Sequence, residues 1–570
     1  MKKWIILDKK SGNQDQSTEN EIIDILLKNR GINTEKEKEE FLNPKLSDLT
    51  LENIHLQRKD LDKAVKRIEK AIQNKESIIV YTDYDVDGVC SGTIMWEALN
   101  DLKAKVMPYV PHRIEEGYGL SEKGIDKIHK EEKAKLIITV DHGVTAWEKV
   151  EYARRLGIDV IIIDHHSLPS KLPKSSALIH TTSLCATGVA WFFANYLMQK
   201  FNPQKSIENK TQNLDLVALA TIADLIPLIG INRILVKYGL DEMNKTKRLG
   251  LKALVNTSRV KLGEIGVYEV GHMLAPRINA AGRLTHALDS LRLLCTRDKY
   301  RAETIADGLS QTNRERQLIL EETILHAREQ INKHNDGTIP KLIFLANESY
   351  NQGVIGLVAG KLVDEFYRPS IVISKGSKYS KASARSIGGF NIVEAIRSCS
   401  DLLVDVGGHP MAAGFTVETS KLVLLEKRLL KLAEKELNNS NLERILKIDC
   451  EINLENTNDN LYKAIKSFEP FGAGNPSPTF VSNNVKVAKM RLIGKDKNHL
   501  KITLQPNNRY NQYIDAIGFG MGSFFEDYVI DQLIDIVYTI DEDKWNLNRK
   551  WSNLHSSLQL KLKDVKISAN

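Results

Sequence analysis

Between residues 77 and 164 the chain holds short runs that are apolar at every position, not at alternate ones: Ile78-Ile79-Val80-Tyr81, Leu136-Ile137-Ile138-Thr139-Val140 and Val160-Ile161-Ile162-Ile163. A strand with one wet face alternates, whereas a continuous β-branched run needs cover on both faces. Helix-compatible stretches at 89–102 and 147–156 separate the runs, and 105–110 reads as a further strand. Buried strands joined through helices predict an α/β fold, a parallel sheet sandwiched by helices. A membrane-spanning frame is excluded: the most apolar long stretch, 214–231, carries Asp215 and Asp224, against the ~20 uncharged residues a bilayer demands.

The ends of these runs carry the chemistry. The first is followed by Asp83-Tyr84-Asp85-Val86-Asp87-Gly88, the second by Asp141-His142-Gly143 and the third by Asp164-His165-His166, while a further apolar run, 216–223, ends in Asp224. In an open parallel sheet the C-terminal strand ends form the ligand crevice, so carboxylates and imidazoles gather at one edge. Like charges gathered in this way are costly unless cations neutralise them. Carboxylate and imidazole without thiolate favour Mn²⁺ or Mg²⁺, and the number of acids predicts two ions, about 3.5–4 Å apart. An EF-hand reading of Asp83-x-Asp85-x-Asp87-Gly88 fails, because the twelfth position is Ile94 where Glu is required.

Residues 1–70 read as a helical segment, with helices near 21–28 and 60–72 and a turn at Phe41-Leu42-Asn43-Pro44. The polar stretch 299–334 predicts one long helix, roughly 50 Å at 1.5 Å per residue, between two domains. A second α/β segment follows from Pro340, and strands at 445–454, 479–492, 500–504, 513–519, 534–538 and 558–565 predict a small β-barrel. The five cysteines lack zinc-site spacing and their odd count argues against a disulfide framework, which fits a reducing cytoplasm. Met1-Lys2-Lys3-Trp4 opens no extended apolar segment, so no secretory signal is expected. Eighty Lys and Arg against 73 Asp and Glu leave a net charge of +7, which permits a polyanionic partner.

These acid and histidine motifs resemble the DHH phosphoesterase superfamily, and most closely its single-strand-specific 5′→3′ exonucleases. Pro276-Arg277-Ile278-Asn279-Ala280-Ala281-Gly282-Arg283 resembles the segment that closes the catalytic domain of those enzymes. Ser383-Ala384-Arg385-Ser386 and Gly407-Gly408-His409-Pro410 resemble their associated second domain, and Phe471-Gly472-Ala473-Gly474-Asn475-Pro476 resembles the start of their OB-fold. The resemblance runs from about residue 40 to the C-terminus. After the helical segment at 1–70, it implies a parallel-sheet catalytic domain at 71–298, a connecting helix at 299–336, a smaller α/β substrate-binding domain at 337–438 and an OB-fold at 439–570.

The same resemblance implies hydrolysis assisted by two metal ions, Mn²⁺ or Mg²⁺. Asp85, Asp87, Asp141, His165 and Asp224 are the expected ligands, with Asp141 bridging and Asp83 a ligand or its support. His166 is expected at the scissile phosphate, Asp164 behind an imidazole, and His142 either at the site or merely structural. Small-substrate relatives carry a metal-binding His where this chain has Tyr81, and Asp83 is the residue that would compensate. Arg283, Ser383 and Arg385 are expected to form an anion pocket, with His409 above the site. Arg113 and Tyr118 are expected to meet phosphate and base, and Gln311 and Arg314 to line the strand's path. The implied enzyme is a cytoplasmic monomer that releases 5′-mononucleotides from single-stranded DNA with a 5′ end, in recombination and repair, beside a helicase and a single-strand-binding protein. The competing readings are a phosphodiesterase of short oligonucleotides or cyclic dinucleotides, whose members lack an OB-fold, and a scaffold that has lost its metal site. Residues 445–570 argue against the first and the intact acids against the second.

Overall fold

The computed structural model describes residues 2–8, 18–113, 115–203, 211–334, 338–506, 513–543 and 555–568. Ile114, within the Arg113–Tyr118 motif, and residues 335–336 of the expected connecting helix lie outside them. The chain divides into two units: residues 46–226 with 231–443, and residues 1–45 with 227–230 and 444–570.

The first unit is built on a five-stranded sheet in the order Val106–Tyr109, Ser77–Thr82, Ala134–Val140, Asp159–Asp164, Ala177–His180, parallel at every pairing. In chain order this is 2-1-3-4-5, so the crossover direction reverses between Ser77–Thr82 and Ala134–Val140, the point where such sheets bind ligands. All six residues of Ser77–Thr82 are buried, as its continuous apolar run requires. Helices Glu122–Glu132 and Trp147–Arg155 cover one face through Ile125, Ile128, Val150 and Ala153, packed on Ile79, Ile137, Val160 and Ile162. The apolar run 216–223 is helical. It lies in a helix, Leu214–Ala223, buried from Leu214 to Ile222, and Asp224 is its C-cap. An element apolar on every side carries no periodicity to distinguish helix from strand.

The 36-residue helix Lys299–His334 leads to a second sheet, ordered Leu403–His409, Ala412–Glu418, Tyr379–Arg385, Ser370–Ser374, Ile343–Asn347. Only the last pair is parallel. Helix Ile355–Phe366 packs Val358, Ala359 and Leu362 on Val372, while Leu422–Glu436 packs Leu425 and Leu429 in the core formed with Ile371 and Phe415.

In the second unit, strands Cys450–Glu451, Phe480–Ile493, His499–Gln505, Tyr513–Gly518, His555–Ile567 and Leu533–Glu542 form one sheet, and Leu533–Glu542 pairs back on Phe480–Ile493 to close it. The expected strand 445–454 is split, because Ile445–Ile448 leaves this sheet to pair in parallel with Lys3–Ile6. The N-terminal segment therefore holds a strand as well as helices. Phe41 and Leu42 end the helix Glu35–Leu42 and do not form a turn. Ile22, Leu26, Leu27 and Phe41 are buried in the barrel core with Phe468, Phe480 and Ile536.

Candidate metal centre

Helix Val86–Asp101 follows the strand Ser77–Thr82 almost without a loop. Asp85 is its N-cap, Oδ1 accepting the Gly88 N–H at 3.1 Å, and the Asn279 Oδ1 accepts the Val86 N–H at 3.0 Å. Asp87, in the first turn, is held from a second helix, Ala186–Phe201. Its carboxylate accepts the Ala186 N–H at 2.7 Å, the Thr187 N–H at 2.7 Å and the Thr187 hydroxyl at 2.6 Å. These are unsatisfied donors at the positive end of a helix, a favourable place for an anion.

Asp141 leaves its strand at φ 67°, in the left-handed region, with its N–H bonded to Ile163 O at 3.0 Å. A non-glycine residue held there costs about 1–3 kcal/mol, which the surrounding structure must impose. The His165 Nε2 lies 3.2 Å from Asp141 Oδ1, 3.6 Å from Asp87 Oδ2 and 3.8 Å from Asp224 Oδ2. Donor atoms converge in three sets, Asp83–Asp85–Asp141, Asp87–His165–Asp224 and Asp141–His165–His166, each within 4.8 Å. Asp141 and His165 each belong to two of them. All six residues expected as ligands are thus brought together.

Burial, then the charges of neighbouring aspartates, push the carboxyls of Asp83, Asp85 and Asp141 above the ordinary range, and Asp224 to about 8 for the same reasons. Asp83 Oδ1 is buried without a hydrogen-bond partner among the described residues. An orphaned carboxylate oxygen among like charges calls for a cation, and the oxygen-rich donor set fits two divalent ions of the Mn²⁺ or Mg²⁺ kind. Asp83, Asp85 and Asp141 would hold one, and Asp87, His165 and Asp224 the other, with Asp141 placed to serve both. Tyr81 takes no part: it is buried with Leu120 and Ile125, its hydroxyl 3.5 Å from Ser121 Oγ.

Asp164 accepts three backbone N–H groups, from Val144 at 2.9 Å, His165 at 2.7 Å and His166 at 3.1 Å. Burial alone would raise its pKa, but the His166 ring 2.7 Å away and these N–H groups hold it well below the usual carboxylate range. Burial opposes the charge on His166, and the bond to Asp164 outweighs it, raising the imidazole's pKa. The Tyr118 hydroxyl donates to Asp141 O at 3.0 Å and lies 3.3 Å from His166 Nε2. A phenol has one proton; with that proton on the carbonyl, its oxygen is left to accept from Nε2–H, so His166 is assigned a proton on each nitrogen. His142 is buried behind Asp141, its Nδ1 without a partner among the described residues. Its Nε2 faces Tyr81 O at 3.1 Å, and burial pushes it down to about 4, so it is neutral near pH 7.

Arg113 lies over the Tyr84 ring at 5.0 Å, and Tyr84 meets Tyr118 edge-on at 6.4 Å. Arg283, in the last turn of helix Ala275–Leu284, donates to Gly353 O at 3.2 Å; burial, then repulsion from Arg113 and Arg316, pulls it down to about 10. Arg385 bonds Ser383 Oγ at 3.3 Å and Ala384 O at 2.8 Å, and burial lowers it too. His409 is exposed and shares a register row with Ala412 and Arg385 across three strands. Gln311 is exposed and bonds Glu315 at 3.3 Å, and Arg314 is exposed on the same helix; among the described residues no hydrogen bond or ion pair ties either to the metal centre. Arg316, whose Nε is buried without a partner, carries no motif that marks it, and neither Tyr84, Asn279 nor Thr187 is singled out by the sequence as a contributor. Asn279 stands inside the 276–283 motif, whereas Thr187 has no local signal at all.

A parallel sheet whose switch-point strands deliver this aspartate and histidine cluster, backed by a second domain bearing arginine and serine, defines a metal-dependent phosphoesterase of the DHH class. Family profiles match accordingly: DHH family, N-terminal domain, over residues 77–221; DHHA1 domain over 340–439; RecJ OB domain over 448–564. The chain is 37% identical over 554 residues to the single-stranded-DNA-specific exonuclease RecJ of Bacillus subtilis, covering 95% of this chain and 67% of that protein. It is 30% identical over 552 residues to RecJ of Haemophilus influenzae, covering 93% and 94%. The crystal structure of Thermus thermophilus RecJ in complex with Mn²⁺ matches the fold with a TM-score of 0.81 at 25% identity, over 100% of this chain and 80% of that one. The chain belongs to the RecJ family.

Proposed function

We propose that this chain is a single-strand-specific 5′→3′ DNA exonuclease that releases 5′-mononucleotides in recombination and repair. The observation that carries the reading is the convergence of Asp83, Asp85, Asp87, Asp141, His165 and Asp224 at the switch point, with Asp83 Oδ1 left without a partner among the described residues. When bound, two divalent ions lower the pKa of a water nucleophile and stabilise phosphoryl charge. The remaining work falls to the chain itself. His166, its Nδ1 held by Asp164, is placed to turn its Nε2–H from the Tyr118 oxygen to a non-bridging phosphate oxygen. Arg283, Arg385 and Ser383 bind a phosphate next to the scissile one, where the two arginines, depressed by burial and lacking a carboxylate partner among the described residues, gain an anion. Arg113 and Tyr118 border the same space, and His409, on the register row of Arg385, is the contact expected from the second sheet. The OB domain binds the rest of the strand; Lys489 and Arg491 stand exposed on one of its paired strands. The protein acts as a cytoplasmic monomer beside a helicase and a single-strand-binding protein.

The test is a 3′-labelled long single strand with a 5′-phosphate and Mn²⁺, with wild type beside Asp141→Ala, a 5′-blocked strand and a blunt duplex. Progressive shortening from the 5′ end is expected for wild type on the free strand alone. Cleavage confined to dinucleotides would sink the reading.

A further inference from the structure

We propose that Tyr268 and His272 form a base-stacking ledge for the single strand, with Arg277 and Arg314 beside it for the strand's phosphates. This rests on the exonuclease reading and adds to it an aromatic pair that none of the motifs contains.

The two rings stack with centroids 4.5 Å apart and planes 18° from parallel. Tyr268 is 62% exposed, His272 is exposed as well, and the tyrosine hydroxyl has no hydrogen-bond partner among the described residues. The pair is pre-organised, since His272 Nδ1 faces Tyr268 O at 3.3 Å. A stacked aromatic pair held open to water, one ring on another, offers what an unpaired base requires: a flat apolar face with no demand on base identity.

The backbone that carries the pair is unusual. Residues Val270–Leu274 form a π-turn between the short helix Val267–Glu269 and the helix Ala275–Leu284. In an unbroken α-helix Arg277 would stand about 180° around the axis from Tyr268. The extra residue of a π-turn returns it by about 100°, towards the side of the aromatic pair. Arg277 donates from Nε to Ser310 Oγ at 3.2 Å and from Nη1 to Met273 O, while Nη2 has no partner among the described residues. Arg314, on the neighbouring long helix, lies close enough to repel it. Neither arginine has a carboxylate within ion-pair distance among the described residues, so an anion between them would relieve both.

The segment that carries the ledge packs on an element of the metal centre. Gly271 packs against helix Leu214–Ala223, where an added Cβ would lie 3.7 Å from Ile222 Cγ2, and that helix ends in Asp224. The other end of the same helical rod supplies Asn279, bonded to Val86 N, and Arg283. One rod therefore carries the stacking pair at its outer end and the phosphate pocket at its inner end.

The experiment places 2-aminopurine at successive positions of a 5′-phosphorylated 16-mer and measures its quenching, together with strand affinity, in EDTA with the full chain. Wild type is expected to show a quenched position several nucleotides from the 5′ end. Tyr268→Ala and the Tyr268→Ala/His272→Ala pair are expected to lose that quenching and bind about 5- to 100-fold more weakly, while Tyr268→Phe keeps both. Quenching and affinity unchanged in Tyr268→Ala would overturn the ledge while leaving the exonuclease reading intact. Failure of wild type to bind the 16-mer at all would overturn both. Melting temperatures of the variants within a degree or two of wild type exclude misfolding as the cause, and Tyr268→Phe separates ring from hydroxyl.

Discussion

The site turns on how single side chains are held, and Asp87 is the sharpest case. Three donors from Ala186 and Thr187 fix its carboxylate while its Oδ2 faces His165. Groups that orient a metal ligand are worth about 10- to 100-fold in affinity. Thr187→Val removes one donor at nearly constant volume, and Mn²⁺ titration of the variant should show a loss in that range; an unchanged affinity would mean that the backbone N–H groups suffice. The aspartates also set a pH dependence. Asp224 has its carboxyl raised to about 8, against an unfolded value of ~4. A group raised on folding contributes stability that is present below its unfolded pKa and lost as pH climbs through its folded one. The metal-free protein should therefore lose stability between about pH 4 and 8, and the rise in melting temperature from saturating Mn²⁺ should be larger at pH 8 than at pH 6. An equal or smaller rise at pH 8 would show that charge repulsion is relieved by some other means.

At the scale of elements, the turn after Ala134–Val140 is the most constrained. Gly143 sits at φ 117°, and a Cβ there would lie 2.6 Å from Thr139 Oγ1, one residue before the N–H that Asp164 accepts. Gly157, at φ 73°, has nothing within 4 Å of such a Cβ. Gly143→Ala should cost more stability than Gly157→Ala, which bears backbone strain alone, about 1–3 kcal/mol, and only the former should lower activity. Denaturant melts and a nuclease assay of both decide it. The catalytic strands are legible because burial on both faces writes a continuous apolar run, and the acids at their ends stand out against it. Helix Leu214–Ala223 is not, because its burial on every side erases the period that marks a helix. Strand Lys3–Ile6 is hidden for a different reason: its partner, Ile445–Ile448, is more than four hundred residues away, and four residues carry too little pattern to announce it. The metal ligands are readable as residue types at strand ends. Thr187 and Arg316 are not, since their roles depend on which helix packs beside which, a tertiary fact without a local trace.

At the scale of the whole molecule, the covalent order of the chain hides a division that bears on any truncation. Residues 1–45 fold with 444–570. Ile22, Leu26, Leu27 and Phe41 are buried in the barrel core, each worth about 1.5–3 kcal/mol when withdrawn from water. Deleting only the C-terminal region strands these side chains in solvent, and a fragment of residues 1–443 should aggregate or expose its first 45 residues to protease. A fragment of residues 46–443 retains its own cores, the central parallel sheet and the second sheet with their helices, and should stay monodisperse. It keeps the whole donor cluster, so it should bind Mn²⁺ as the full chain does. It should nonetheless bind a long strand at least 10-fold more weakly, with a salt dependence shallower by about 0.7 in log–log slope for each phosphate that the barrel no longer neutralises. Anisotropy titrations of a 20-mer at several salt concentrations measure both quantities. A fragment 46–443 that matches the full chain in affinity and slope would place strand binding outside the barrel altogether, and would leave Lys489 and Arg491 as ordinary solvated surface.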